Sequence, residues 1–231
     1  MMSYSGTEKA YAMTENLAGP WLRPALSRLE GRYVSIARLD PDADIDELYD
    51  ASHRTDEFKA LWRYLPKSDF ASREAMLEWL RSIEHNADPL FYTVTSKDLK
   101  RKIGMIALMN IVPEHGRAEL GNIWYSPLVQ KTRVNTEVTY LFLRELFDTY
   151  HYRRAEWKCD NQNEPSKRTA LRMGFRFEGL FRQHSVVKGK NRDTAWFAIL
   201  DKEWPAVKAI FEAYLASDAL SLTSMNRRET T

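Results

Sequence analysis

The chain has 231 residues, 44% hydrophobic and 29% charged, a globular balance that fits one domain with extensions or two small ones. Lys and Arg outnumber Asp and Glu by only 34 to 32, a net charge of +2, so charge gives no global case for a nucleic-acid or membrane partner. No apolar run approaches the roughly 20 residues that span a bilayer, the first residues lack a signal-peptide core, and the single cysteine, Cys159, excludes an internal disulfide and fits a reducing cytoplasm.

Residues 1–28 read as an arm, with Gly6, Gly19, Pro20 and Pro24 breaking any period and the pair Trp21-Leu22 as its anchor. Residues 31–39 alternate and are β-branched, which predicts a strand. Asp40-Pro41-Asp42-Ala43-Asp44 stops it and starts a helix, with Asp44 as N-cap and Glu47 closing a capping box. Residues 60–66 form an aromatic loop, and 72–86 a helix carrying Met76, Trp79, Leu80 and Ile83 on one face. Strands follow at 90–95 and 102–112, joined by a polar hairpin, and at 118–125 after a turn at His115-Gly116.

A helix over 134–150 has one broad apolar face for docking on a sheet. Residues 154–159 alternate as a strand, Pro165 opens a helix to Arg172, and Gly174 ends that helix. Strands at 175–187 and 194–200 flank a hairpin turn over 188–193, and 204–215 is an amphipathic helix before a polar tail at 217–231. The order predicts a mixed, mostly antiparallel sheet flanked by helices, of the α/β or α+β class, with the domain spanning 29–216.

The stretch 118–182 holds the chemistry. Gly121 inside a strand marks either a bulge at Gly121-Asn122 or a packing glycine. The loop Gln130-Lys131-Thr132-Arg133-Val134-Asn135-Thr136 enters a helix N-terminus, whose unpaired N–H groups and positive dipole end suit a phosphate. Further on stand Asn163, Ser166, Arg168, Gly174, Phe175, Glu178, Gly179 and Arg182, in the pattern Asn-x-x-Ser-x-Arg…Gly-Phe-x-x-Glu-Gly-x-x-Arg.

This pattern, with the strand–Pro–Gln–helix stretch at 118–137 before it, resembles the GNAT superfamily of acyl-CoA N-acyltransferases, in particular its RimJ/RimL-type (ribosomal-protein N-acetyltransferase-like) branch. The resemblance covers roughly residues 30–200. It implies a sheet splayed into a V between the strands near 118–125 and 155–160, with pantetheine in the gap. It implies acetyl-CoA as co-substrate, an amine acceptor (a protein N-terminus or a small molecule) and attack of that amine on the thioester. The cofactor set it implies is Tyr125, Gln130, Lys131, Thr132, Arg133, Val134, Asn135, Thr136, Asn163, Ser166 and Arg168. In the family the loop usually reads Gln/Arg-x-x-Gly-x-Gly/Ala; Arg133 and Asn135 occupy the glycine positions here. Either the loop keeps a helix-like path that needs no glycine, with Lys131 and Arg133 adding charge to the phosphates, or cofactor binding is weakened.

An amine of pKa about 10.4 must shed its proton at a cost of about 4.6 kcal/mol at pH 7, whereas a thiol of pKa about 8.5 needs only about 2 kcal/mol of help, so a base matters more than an acid. Glu119 is the candidate base, its alternative being an exposed strand carboxylate; Glu114 and His115 are weaker candidates. Many relatives carry a tyrosine acid where Ala170 stands, which leaves Ser166 as substitute acid or as a capping residue, and Asn163 as a pantetheine contact or a cap.

The acidic run 40–57 is either a rim that attracts a cationic acceptor or a solvated helix face, and Trp62, Tyr64 and Phe70 either line a pocket or fill a core. The five histidines lack ligand spacing, so no metal is expected. The basic turn at 188–192 is too short to argue for nucleic acid. No membrane partner is expected, a cytoplasmic location is, and exposed aromatics leave a homodimer open. The rival readings are an acyltransferase for another acyl-CoA and a GNAT-fold interaction module that binds CoA weakly, the latter motivated by 9 glycines against 11 tyrosines, 10 phenylalanines and 7 tryptophans.

Overall fold

The computed structural model describes residues 19–217; the predicted arm up to residue 18 and the predicted tail from 218 onward lie outside them. The rest of the arm is tied down. Trp21 N–H donates to Pro113 O at 3.0 Å, its ring covers Gly116, and the neighbouring Leu22 stays exposed. The first strand, β1 (Arg28–Glu30), begins inside the stretch read as arm, because it pairs antiparallel with β2 (Val34–Arg38) as a short hairpin.

One eight-stranded sheet runs through the domain in the order β1-β2-β3-β4-β5-β6-β8-β7, with β3 (Leu90–Ser96), β4 (Arg101–Val112), β5 (Arg117–Tyr125), β6 (Arg154–Asp160), β7 (Arg176–Val187) and β8 (Lys190–Leu200). Every neighbouring pair is antiparallel except β5 and β6, which are parallel and joined by a helical crossover. The predicted mixed, mostly antiparallel sheet is thus the observed one. Successive residues of β4 serve two cores. Met105 and Ala107 meet α1 (Pro41–His53) and α3 (Arg73–Ile83); Ile106 and Leu108 meet α4 (Val134–Arg144) and α6 (Trp204–Ala216).

Several boundaries differ from the sequence reading for local reasons. The N-cap of α1 is Asp40, not Asp44: Pro41 takes the first helical position, and the Asp40 side chain accepts from Ala43 N–H. Asp44 is buried instead, accepting from Thr93 Oγ1 and pairing with Lys102 at 2.7 Å. The aromatic loop at 60–66 is a 3₁₀ turn over Ala60–Tyr64, entered directly from a short helix α2 (Asp56–Lys59). The β7–β8 connection is a two-residue turn, since Lys188 and Gly189 both take positive φ (50° and 72°) as a tight type I′ hairpin requires. Helix α5 (Glu164–Arg172) ends as predicted. Gly174 is left-handed, and the N–H groups of Phe175 and Gly174 return to the carbonyls of Ala170 and Leu171.

One buried carboxylate fastens α4 to the sheet edge. Glu137 accepts hydrogen bonds from the backbone N–H groups of Arg32, Tyr33 and Val34 at 2.7, 2.7 and 2.8 Å. Gly31 makes room for it, as a Cβ there would collide with the carboxylate. Glu137→Ala leaves three donors in a site with little water, so it should cost about 3 kcal/mol or more in denaturant unfolding, with Glu137→Gln intermediate. Equal stability of all three proteins would show that the anchor carries no weight.

His53 is held neutral. Its Nε2 accepts from Phe70 N–H at 3.0 Å, so Nδ1 carries the proton toward Ser52 Oγ at 2.8 Å, and burial pulls its pKa below the ordinary 6.5. The unfolded chain protonates this imidazole at higher pH than the folded one, so stability is lost as pH falls through 6.5 toward the lower folded value. Urea midpoints should fall between about pH 7 and pH 5.5, and His53→Gln should flatten that segment.

Candidate active site

The sheet splits where the parallel pair β5–β6 should continue. β5 and β6 are paired only at Arg117–Arg154, Ala118–Ala155 and Glu119–Glu156, yet β5 runs on to Tyr125 and β6 to Asp160. A bulge turns β5 away. Between the pairs Ala107–Gly121 and Met105–Trp124, the two β5 residues Asn122 and Ile123 face the single β4 residue Ile106. The left-handed residue is Asn122 (φ 49°) rather than Gly121. Gly121 itself packs against Met109 Sδ, a flexible side-chain end, so the bulge is the reading that the register carries. A cavity of about 890 Å³ fills the split.

At one end of the cavity stands the N-terminus of α4. Lys131 takes the left-handed turn (φ 60°), while Arg133 is already helical (φ −81°, ψ −7°) and Asn135 lies in the first turn. The loop therefore follows the helix-like path, and the two glycine positions of the family pattern need no glycine here. Glu137 N–H returns to Arg133 O, which leaves the N–H groups of Asn135 and Thr136 without a helical acceptor. Asn135 Oδ1 is buried without a hydrogen-bond partner, and Gln130, Lys131 and Thr132 line the mouth. Arg172, in the last turn of α5, lines the same wall and donates to Thr136 Oγ1 at 3.1 Å; burial lowers its pKa. A helix N-terminus and two cations fit the phosphate end of an extended ligand, and the orphaned amide oxygen of Asn135 calls for a donor elsewhere on that ligand.

Four predicted residues are placed elsewhere. The Arg133 guanidinium turns to α6, donating to Tyr214 O and to Ser217 O (2.5 Å) and stacking 4.7 Å from the Tyr214 ring. Val134 and Thr136 are buried beneath the first turn, and Arg168 is exposed and off the cavity wall. Arg172, four residues after Arg168, is the α5 cation that reaches the cavity. Only the i,i+4 spacing hinted at it.

At the root of the split, Glu119 is 2% exposed and lines the cavity, so it is no surface carboxylate. Its Oε2 receives Lys158 Nζ at 2.8 Å and Asn110 Nδ2 at 2.7 Å, while Oε1 stands beside Gly121. Burial raises its pKa, against the lowering pull of Lys158. Lys158 and Asn110 were missed. The strand alternation that puts Lys158 on the face of Glu156, register partner of Glu119, was the available signal.

On the β6–α5 wall, Asn163 is the N-cap of α5, its Oδ1 accepting from Ser166 N–H at 3.2 Å. Ser166 Oγ accepts from Trp157 Nε1 at 3.1 Å, and both Asn163 and Ser166 line the cavity. Across from them, the Tyr125 hydroxyl is buried without a partner, and burial raises its pKa strongly.

The acidic run is paired off: Asp42 with Arg81 (2.6 Å), Asp46 with Arg73 (2.5 Å), Asp50 with Arg54 and Arg101 (2.6 and 2.5 Å), Asp56 with Lys59 (2.8 Å). Only Glu57 of that run lines the cavity. Trp62 and Phe70 belong to the second core; Tyr64 alone of the three reaches the cavity, donating to Gln162 O at 3.1 Å. Among the described residues no helix is long and apolar enough to cross a membrane.

A split sheet with a helix N-terminus at one end of the gap and a buried carboxylate at the other defines a group-transfer enzyme working on an extended, anionic co-substrate. Residues 35–176 match the acetyltransferase (GNAT) domain family. A GCN5-related N-acetyltransferase from Brucella melitensis is 41% identical and superposes with a TM-score of 0.86 over 90% of this chain and 97% of that one. A probable GNAT-family acetyltransferase from Chromobacterium violaceum is 35% identical, with a TM-score of 0.76 over 84% and 96%. The uncharacterized N-acetyltransferase p20 of Bacillus licheniformis is 24% identical over 144 residues, 60% of this chain and 78% of that protein. The chain belongs to the GNAT acetyltransferase family and is an acyl-CoA-dependent N-acetyltransferase.

The placement of Arg133 makes a separable expectation. Arg133→Gln should lower unfolding stability by about 2 kcal/mol through loss of two charge-assisted bonds to α6, while acetyl-CoA affinity by calorimetry stays within about twofold. A large loss of affinity with unchanged stability would return Arg133 to the phosphates.

Proposed function

We propose that this enzyme transfers the acetyl group of acetyl-CoA to a primary amine by direct attack on the thioester, with Glu119 as base. The observation that carries this is the position of Glu119: a buried carboxylate at the root of the same cavity whose mouth is the N-terminus of α4. The acetyl end of a ligand anchored at α4 and laid along the split reaches that root.

The roles follow from the residues. Asn135, Lys131 and Arg172, all on the cavity wall, hold the phosphate end. The bulge at Asn122 releases backbone N–H groups from the β4–β5 ladder, and these polarise the thioester carbonyl. An ammonium acceptor must lose a proton, and a carboxylate whose pKa is raised by burial is a better base for it than an exposed one. Ser166, already accepting from Trp157, keeps its own proton to give to the departing thiolate. Ala170 is buried where relatives hold a tyrosine acid, so that role passes to Ser166. The motif from Asn163 to Arg182 favours the RimJ/RimL-type branch. The helical backbone at Arg133 and Asn135 removes the motive for a CoA-free interaction module.

Two measurements test the reading. Calorimetric titration should detect acetyl-CoA, and no binding at millimolar ligand would overturn the enzyme reading. An amine panel followed by CoA release identifies the acceptor. On the amine found, kcat/KM should fall with falling pH along a limb whose apparent pKa lies above 4.5, since Glu119 protonates early. Glu119→Gln should cost about 10²-fold or more and erase that limb; an unchanged profile takes Glu119 out of the mechanism.

A further inference from the structure

Among the described residues, the charged side chains that line the cavity from β6 and β8 are Lys158, Asp160 and Arg192, and of these Arg192 alone makes no hydrogen bond or ion pair, while the carboxylates around them are matched. Glu119 is taken by Lys158, Glu156 by Arg117 (3.3 Å) and Arg154 (2.8 Å), and Glu178 by Arg154. Asp193 accepts from Gln183 N–H (2.7 Å) and Asn191 Nδ2 (3.0 Å), and Asp160 accepts from Gln162 N–H (2.8 Å). Arg192 is the exception. It lines the cavity, its Nε is buried without a hydrogen-bond partner, and it has no ion pair to a described residue. A buried guanidinium nitrogen with nothing to donate to is costly unless a ligand supplies the acceptor.

Its place in the sheet says which ligand. Lys158 pairs in register with Trp196, and its ammonium lies 4.9 Å from that ring. Strand alternation puts Arg192, Thr194 and Trp196 on one side of β8, the side of Lys158 and so of Glu119. Arg192 thus stands on the Glu119 side of the sheet, on the cavity wall just past the last β6 pair, Asp160–Thr194, whereas Lys131 and Arg172 stand at the α4 loop and in the last turn of α5. Four residues of strand separate Arg192 from Trp196, roughly 13 Å, of which the arginine side chain spans part.

We infer that the acceptor is an amine that also carries a carboxylate several bonds from the reacting nitrogen, and that Arg192 binds this carboxylate. The inference rests on the acetyltransferase reading above and narrows its acceptor. The guanidinium fork suits a carboxylate bidentately and fixes the far end of the acceptor, so that its amine is delivered beside Glu119. Glu57 and Asp160 also line the cavity and face an acceptor from the α2 and β6 walls, which disfavours a second negative group.

Bisubstrate conjugates test this even while the acceptor is unidentified. CoA is joined through an S-acetyl bridge to the amine of 5-aminopentanoate or of glycine, and each acid is compared with its carboxamide by calorimetry. The 5-aminopentanoate conjugate should bind wild-type protein about tenfold or more tightly than its amide. Arg192→Gln should abolish that difference, Arg192→Lys should keep part of it, and both variants should bind CoA itself as wild type does. Equal affinity of acid and amide in both pairs overturns the inference, and so does a loss of CoA affinity in Arg192→Gln, which would assign the arginine to a phosphate. Failure of CoA and all four conjugates to bind wild-type protein would instead bring down the acetyltransferase reading on which the inference stands.

Discussion

The site depends on a hydrogen-bond ladder that stops after three residue pairs. Beyond Glu119 and Glu156, the facing edges of β5 and β6 have no strand to bond to, while their outer edges remain paired with β4 and β8. Backbone polar groups left dry inside a protein are expensive, so an unpaired double edge is stable only if water or a ligand supplies the partners. A ligand with amides of its own, laid along such an edge, adds to the sheet as a peptide strand does. The split therefore creates both the cavity and its preferred occupant's shape. The bulge at Asn122 keeps the split open, because it turns β5 off the line that parallel pairing would follow.

The same split explains why so much charge is buried on one face of the sheet. Parallel register sets Glu119 against Glu156, two carboxylates that repel unless cations come between. Lys158 takes the first, and Arg117 and Arg154 take the second, Arg154 reaching on to Glu178 at the edge strand. Such pairs add little net stability, since desolvation cancels most of their attraction. What they add is position: Glu119 is held at the root by two donors to one oxygen, with the other oxygen toward the bulge.

Most of the fold was legible because local signals agreed. Alternation, the helical spacing of Met76, Trp79, Leu80 and Ile83, the Pro165 start and the Gly174 stop each decide their element within a few residues. What failed was local competition. Asp40 and Asp44 are equivalent as caps by composition, and only Pro41 settles the order. β1 is too short to carry a period. In the site, Glu119, Ser166, Asn163 and the α4 loop were visible from motif spacing, whereas Lys158, Asn110, Arg172 and Arg192 come from elements that meet only in three dimensions. Arg133 shows the opposite error. A cation in a phosphate-type loop has the right charge and place, but its side chain leaves the loop for the carbonyls at the end of α6.

The shortage of glycine, which at first argues against a cofactor, is resolved by where the loop turns. A phosphate loop needs one residue outside the right-handed region and N–H groups free to point at the ligand; it does not need those to be the same residue. Here Lys131 takes the left-handed turn, and Arg133 and Asn135 are helical from the outset. A lysine in that conformation costs a fraction of what a bulky β-branched residue would, and the strain is met by the rest of the entry. Thr132 Oγ1 receives Val134 N–H at 3.4 Å, Arg133 ties the loop to α6, and Glu137 one turn on fastens α4 to the β1–β2 hairpin. Glycine would give this loop freedom to adapt to its ligand. The contacts to α6 and to β1–β2 give it a fixed shape before the ligand arrives, which lowers the ordering entropy paid on binding.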